Sequence, residues 1–237
     1  MNQPRINRGR KLWFNEEARL LVMMFLALKK LHNEKCTLAV EENAISREYA
    51  FCMRDANEDL RAKGRHVDHL PVFRARNQPD PTAPEDSPAE EKEPDFLWEW
   101  YDPYESDPRV CYKYYAIECK RLRKSELRWC REYVVKGIRR FVTAEHAYSR
   151  GLPSGAMIGY VQGGDFRQLM HSVNEDTTKN KLPKIIPSGA EWQEGSTTRL
   201  DHTLNRPEVK PSPFHLRHLW TDLRVSITPS LRKDAHD

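Results

Sequence analysis

The sequence has little cysteine, and its five cysteines form neither a zinc motif nor a disulfide scaffold. Their number is odd, they lie far apart, and no CxxC pair is present. Long apolar runs are also missing: the longest, residues 20–28, is far shorter than the ~20 residues that cross a bilayer. No cleavable signal opens the chain. The sequence therefore predicts a cytoplasmic protein without a membrane partner.

A large charge excess is missing as well. The 237 residues include 39 Lys plus Arg and 35 Asp plus Glu, and the net charge of +4 is too small to identify a partner. Residues 1–12 are basic and poor in large apolar side chains, which predicts a flexible arm. Residues 77–93 are rich in proline and acidic residues, which predicts a disordered insertion. We expect residues 13–237 to form one domain, interrupted by this insertion.

Hydrophobic spacing and turn residues predict a mixed α/β domain. Two aromatic and β-branched runs joined by turn residues indicate an antiparallel hairpin, and apolar residues at three- and four-residue intervals indicate helices. The order of these elements predicts a mixed central sheet flanked by helices, with an N-terminal helical segment. The predicted elements are a helix that Asn15 caps and that includes residues 20–31, a helix over 45–62, hairpin strands at 95–101 and 110–119, a helix over 127–141, a strand at 155–161, a helix over 165–173, a polar loop, and a strand at 215–225.

Three residues at the ends of the hairpin strands carry the chemistry. Asp95 opens one strand, and Glu118 and Lys120 close the other. Because side chains alternate along a strand, Glu118 and Lys120 project from one face and Cys119 projects from the other. Pairing of the two strands is expected to bring Asp95 to the same edge. The sequence therefore predicts a cluster of two carboxylates and one ammonium group.

Such a cluster suits a hard divalent cation. Mg²⁺, or Mn²⁺, takes oxygen ligands and keeps waters for a substrate phosphate, so Asp95, Glu118 and the backbone carbonyl of Cys119 are the predicted ligands. Lys120 would orient a nucleophile or stabilise negative charge in the transition state. This is the chemistry of phosphodiester hydrolysis.

The same residues resemble a known nuclease family. Pro94-Asp95, 22 intervening residues and Glu118-Cys119-Lys120, followed by an amphipathic helix and an apolar strand, are similar to the PD-(D/E)xK nucleases with the restriction endonuclease-like fold. The resemblance implies that Asp95 and Glu118 hold the metal and that Lys120 is the catalytic lysine.

Many members of this family carry a further acidic residue on a helix before the sheet. Glu42 is favoured for this position because it lies at the start of the second predicted helix, and Glu41 and Glu48 are alternatives.

A run of basic residues follows the predicted metal site. Residues 120–140 contain nine Lys or Arg against two Glu, and such a surplus is typical of segments that neutralise a phosphate backbone. The alternative is an ordinary solvated helix face. The candidates for backbone contacts are Arg121, Arg123, Lys124, Arg128 and Lys136.

These observations predict a Mg²⁺-dependent nuclease acting on DNA, most simply an endonuclease, with RNA left open as substrate. The resemblance implies a role in restriction, anti-phage defence or repair, and the small size implies target selection by a protein partner or a homodimer. One alternative is a non-catalytic nucleic-acid-binding or assembly subunit that keeps the nuclease fold. Another is a helical interaction module whose acidic insertion recruits a basic partner.

Overall fold

The computed structural model describes residues 3–79 and 87–224. Within them lie four α-helices and eight strands. The helices are α1 (Gln3–Asn33), α2 (Glu42–Arg61), α3 (Leu127–Val135) and α4 (Phe166–Lys179), and two 3-10 helices cover Pro88–Glu91 and Ile138–Phe141. The strands are β1 (Val72–Phe73), β2 (Phe96–Tyr101), β3 (Tyr112–Arg123), β4 (Ser154–Gly163), β5 (Ile186–Pro187), β6 (Gln193–Glu194), β7 (Thr197–Leu204) and β8 (Phe214–Asp222).

The strands form one mixed sheet in the order β1-β2-β3-β4-β8-β7-β5, with β6 paired to β7. Strands β3, β4 and β8 run parallel at its centre, whereas β2 and β7 are antiparallel to their neighbours β3 and β8. This confirms the predicted α/β class, the hairpin and the apolar strand β4. None of the helices in the described ranges is long and apolar enough to cross a membrane.

Helices cover both faces of the sheet, and successive side chains of β3 point alternately into the two cores that these helices form with it. Ile117 and Cys119 pack with α1 and α2. Ala116 and Leu122 pack with α3 and α4. The predicted alternation is therefore confirmed, and it leaves Glu118 and Lys120 on the α3 side of the strand.

Helix α1 begins much earlier than the sequence analysis predicts. Asn15 was the expected N-cap, yet the helix already starts at Gln3, so the residues expected to form a flexible arm are helical from that point. The physical reason lies at Trp13, whose indole is buried against the rings of Trp98, Trp100 and Tyr115. This aromatic contact anchors the basic first half of the helix to the sheet.

Both flanks of the proline-rich insertion lie within the described residues. Residues 80–86 lie outside the described residues, but both flanks pack against the domain. The backbone N–H of Asn77 donates to Lys92, and its side-chain amide donates to the carbonyls of Ala89 and His146. A single asparagine thus satisfies carbonyls from two segments and links residues on both flanks of the insertion, for which the sequence predicts disorder.

Two further elements differ from the prediction. The expected helix over residues 127–141 breaks at Gly137, where a Cβ would lie 2.4 Å from the carbonyl oxygen of Tyr133, and it resumes as the 3-10 helix. The expected polar loop contains β7, whose Thr198 and His202 are buried. Their polar atoms bond to the carbonyls of Trp192 and Pro183, which explains how a polar sequence forms an interior strand.

Candidate active site

The candidate site lies on an edge of β3 that β2 leaves open. Pairing between the two strands ends at Phe96↔Ile117, whereas β3 continues to Arg123 and pairs with β4 along its other edge. An open strand edge presents N–H and C=O groups that need partners. Residues 118–123 therefore offer backbone donors and acceptors that carboxylates and an ammonium group can meet.

Two carboxylates bind this edge. In an antiparallel pair, alternate residues direct their backbone groups towards the neighbouring strand. Accordingly, the N–H of Cys119 donates to Asp95 Oδ2 at 2.7 Å, and the N–H of Arg121 donates to Glu42 Oε2 at 3.0 Å. Asp95 reaches the edge because it immediately precedes β2, and Glu42 reaches it because it is the first residue of α2, where the helix dipole favours a carboxylate.

Lys120 lies at the centre of the cluster. Its Nζ is 3.0 Å from Glu42 Oε1, 2.8 Å from Glu118 Oε1 and 3.8 Å from Asp95 Oδ2. It also donates to the backbone carbonyl of Cys119 at 2.6 Å. Burial disfavours the charged ammonium, but the neighbouring carboxylates outweigh it and raise the pKa of Lys120 above its ordinary value.

Glu118 is the most deeply buried acid of the site. Its side chain is 1% exposed, and burial raises its pKa to about 7 against the opposing effect of Lys120. The Oε1 atom contacts both Lys120 and Arg140, whereas Oε2 is buried without a hydrogen-bond partner. Burial also raises the pKa of Asp95, although the charge of Lys120 and the hydrogen bond from the N–H of Cys119 act in the opposite direction.

The structure thus brings together Asp95, Glu118, Lys120, Glu42 and the carbonyl of Cys119, as the sequence analysis expected. The two alternatives to Glu42 make other contacts: Glu41 is the N-cap of α2, and Glu48 pairs with Arg47 on the exposed side of that helix.

Arg140 is the site residue that sequence reasoning missed. Its Nη1 donates to Glu118 Oε1, and its guanidinium also interacts with the Tyr148 hydroxyl. The charge surplus of residues 120–140 indicates this segment as a whole. Helical periodicity does not distinguish Arg140 from its neighbours, because the helix breaks at Gly137 and Arg140 follows the break.

The donor set has the chemistry that a hard cation requires. Carboxylate and carbonyl oxygens are the ligands that Mg²⁺ accepts, and the unpaired Oε2 of Glu118 is a buried acceptor facing no donor. As arranged, however, the carboxylates gather around the Lys120 ammonium. Within residues 3–79 and 87–224, no group of three or more His, Cys, Asp or Glu side chains has an arrangement that would hold a metal ion.

No protein-family model, curated protein or solved structure matches this chain.

The predicted nucleic-acid contacts do not form one continuous helix face. Arg121 and Arg123 belong to β3, and both guanidinium groups lie over the ring of Trp129, at 4.2 and 5.6 Å from its centroid. Lys124 donates to Ser172 Oγ of α4 at 2.8 Å. The other two candidates are exposed: Arg128 lies on α3, and Lys136 pairs with Glu132.

Proposed function

We propose that the protein is a Mg²⁺-dependent endonuclease, also able to use Mn²⁺, that hydrolyses phosphodiester bonds in DNA. The observation that carries this proposal is the convergence of Asp95, Glu118, Glu42 and Lys120 on the open edge of β3. Buried acidic and basic groups with shifted pKa values, grouped at one edge of a sheet, are typical of catalytic sites.

The residues divide into ligands and helpers. Asp95, Glu118 and the carbonyl of Cys119 would hold the metal ion, which when bound polarises the phosphoryl group and lowers the pKa of a water molecule. Lys120 remains protonated in this environment, and from within the carboxylate cluster its positive charge helps to offset the negative charge that develops in the transition state. Glu42 fixes Lys120 and the backbone of Arg121, and so holds the edge in one conformation.

The order of elements supports membership in the PD-(D/E)xK group and a restriction endonuclease-like fold. Helix α2 precedes the β2–β3 hairpin, and α3 and the apolar strand β4 follow it. Asp95 lies at the start of the first hairpin strand and Glu118 and Lys120 near the end of the second, as the resemblance requires.

The setting we propose is the cytoplasm, in a restriction or anti-phage defence system. All five cysteines are free thiols, which favours a reducing compartment. Arg121 and Arg123, stacked on Trp129 next to the site, would neutralise the substrate backbone. Selection of the target by a protein partner or a second copy of the chain belongs to the same proposal.

Cleavage of plasmid DNA, single-stranded DNA and RNA with Mg²⁺ or Mn²⁺ tests the function. We expect Asp95→Asn and Glu118→Gln to abolish cleavage. The matched control is Asp102→Asn, because Asp102 also accepts from a β3 lysine, Lys113, at 2.9 Å but at the other end of the strand. Activity retained by Asp95→Asn, or an inactive wild type with every substrate, would contradict the proposal.

The same assay tests the choice of upstream acid. Glu42→Gln removes a carboxylate that contacts both Lys120 and the N–H of Arg121, so we expect a clear loss of rate. Glu48→Gln on the same helix lacks these contacts and is expected to cleave like the wild type.

One observation favours a second candidate, a non-catalytic nucleic-acid-binding subunit. Lys120 already compensates the carboxylates that a metal would need, and Arg140 contacts Glu118 as well. Titration calorimetry with Mn²⁺ distinguishes the two functions. Binding that Asp95→Asn removes supports the nuclease, whereas salt-sensitive DNA binding without metal binding supports the second candidate.

A further inference from the structure

The two cations of the site differ in how many of their hydrogen-bond donors the protein already uses. An ammonium group has three donors and a guanidinium has five. Lys120 Nζ donates to Glu42 Oε1 at 3.0 Å and to the carbonyl of Cys119 at 2.6 Å, and it forms an ion pair with Glu118 Oε1 at 2.8 Å, so three acceptors already surround its three donors. Lys120 can therefore reach a further anion only by giving up one of these partners.

Arg140 is in a different position. Its guanidinium contacts Glu118 and Tyr148, two partners for five donors, and 28% of its side chain is exposed, whereas the side chain of Lys120 is 11% exposed. A guanidinium has the planar geometry that matches two phosphate oxygens. Arg140 is thus the cation that lies against the acidic cluster and still presents donors to solvent.

The surrounding structure holds Arg140 in place. The 3-10 helix that carries it is anchored by the buried side chains of Ile138 and Phe141. The loop that carries its partner Tyr148 is bound by Arg206, whose buried guanidinium donates to the carbonyls of Tyr148, Ser149 and Leu152. A donor held in this way needs little reorganisation when a charged substrate arrives.

We propose that Arg140 binds the phosphate group that is cleaved, and that Lys120 acts mainly within the carboxylate cluster. This inference rests on the proposed nuclease function. It assigns to Arg140 the direct contact with non-bridging phosphate oxygens, through the donors that Glu118 and Tyr148 leave available. Glu118 then fixes the guanidinium on one side, and the substrate phosphate meets it on the other.

The test compares Arg140→Gln, Arg140→Lys and Arg139→Gln. Arg139 lies on the same 3-10 helix with an exposed side chain, so its loss removes the same charge from the same element without touching Glu118. The measurements are kcat and KM for cleavage, the Kd for a DNA oligonucleotide with its salt dependence, the Kd for Mn²⁺ and the unfolding temperature. Arg140→Lys keeps the charge and guards against a simple folding defect.

We expect Arg140→Gln to lower kcat/KM by about a hundredfold, the loss typical for one donor that stabilises a transition state. The slope of log Kd for DNA against log salt concentration should fall by the amount that corresponds to about one phosphate contact. The Kd for Mn²⁺ should stay near that of the wild type. Arg140→Lys should recover part of the rate, because a point charge replaces a bidentate donor. Arg139→Gln should retain the wild-type kcat/KM.

Three results would overturn the inference. In a protein that cleaves, equal rates for Arg140→Gln and Arg139→Gln would show that the contact is dispensable. Loss of Mn²⁺ binding in Arg140→Gln with unchanged DNA binding would show that Arg140 acts only through Glu118. An inactive wild type would remove the proposed function itself, and that outcome is distinct from the first two.

Discussion

At the scale of single residues, the site is a buried charge cluster with an excess of acid. Among the residues that the structure describes, the cations that form ion pairs with the carboxylates of Glu42, Asp95 and Glu118 are those of Lys120 and Arg140. Removing a cation leaves more buried carboxylate without compensation, whereas removing one carboxylate brings the cluster closer to balance. The cost of a substitution should therefore depend on the sign of the charge removed.

We expect Lys120→Met to lower the free energy of unfolding by about 3–5 kcal/mol, because it leaves buried carboxylates without a compensating cation. Glu118→Gln should change it by less than about 1 kcal/mol, since it removes an acid whose pKa burial has already raised. Urea unfolding at neutral pH measures both. Lys136→Met is the control, because its pair with Glu132 is exposed and contributes little. Equal losses for Lys120→Met and Glu118→Gln would contradict this account.

At the scale of elements, the site depends on where β2 begins and where α3 ends. Strand β2 begins only at Phe96, opposite Ile117, while β3 continues to Arg123, and this leaves open the edge that Asp95 and Glu42 occupy. Helix α3 stops at Val135, and the following 3-10 helix carries Arg140 to Glu118. The start of β2 and the end of α3 therefore both shape the site.

The break after α3 gives a prediction of its own. In Gly137→Ala, the new Cβ would lie 2.4 Å from Tyr133 O and 2.5 Å from Met157 Cε, and the backbone oxygen cannot move aside as a flexible side chain would. We expect a loss of about 1–3 kcal/mol of stability, together with reduced cleavage as Arg140 shifts. Thermal unfolding and the cleavage assay measure the two effects.

Gly9→Ala is the matched control for this substitution. A Cβ at Gly9, inside α1, would make only ordinary contacts, the nearest at 3.4 Å from Asp102 Oδ1. Alanine also favours a helix over glycine, so this variant should unfold at or above the wild-type temperature. A Gly137→Ala variant as stable as Gly9→Ala would show that the break tolerates a side chain.

At the scale of the whole molecule, local patterns predicted the centre of the site but not its surroundings. Strand alternation placed Glu118 and Lys120 on one face, and the hairpin brought Asp95 to them, because these contacts follow from neighbouring strands. Arg140 was missed because its approach depends on a helix break, and the start of α1 was missed because Trp13 is fixed by distant rings. Contacts between residues far apart in the sequence produce no local periodicity from which they could be predicted.

Strand β7 shows the same limit and leads to a prediction on pH. Its His202 is buried beside His218 of β8, at 5.5 Å between ring centroids, in a layer that also contains Tyr133 and Trp220. Tyr133 accepts from Trp220 Nε1, and its hydroxyl is also hydrogen-bonded to His218 Nδ1 at 2.7 Å. Burial lowers the pKa of His202 to about 4, and burial, with a smaller contribution from His202, also lowers the pKa of His218 well below its ordinary value.

Both histidines therefore make the fold sensitive to acid. Below the ordinary histidine pKa of 6.5, these histidines bind protons in the unfolded chain but remain unprotonated in the folded chain. The free energy of unfolding therefore falls as the pH falls from about 6.5 to 4. The part due to His202 amounts to at most about 3 kcal/mol. We expect His202→Gln to gain free energy of unfolding relative to the wild type over this interval, measured by urea titrations at several pH values. His171→Gln, at an exposed histidine, should follow the wild-type curve, and a His202→Gln curve that also runs parallel to the wild type would show that the buried ring is not the group that titrates.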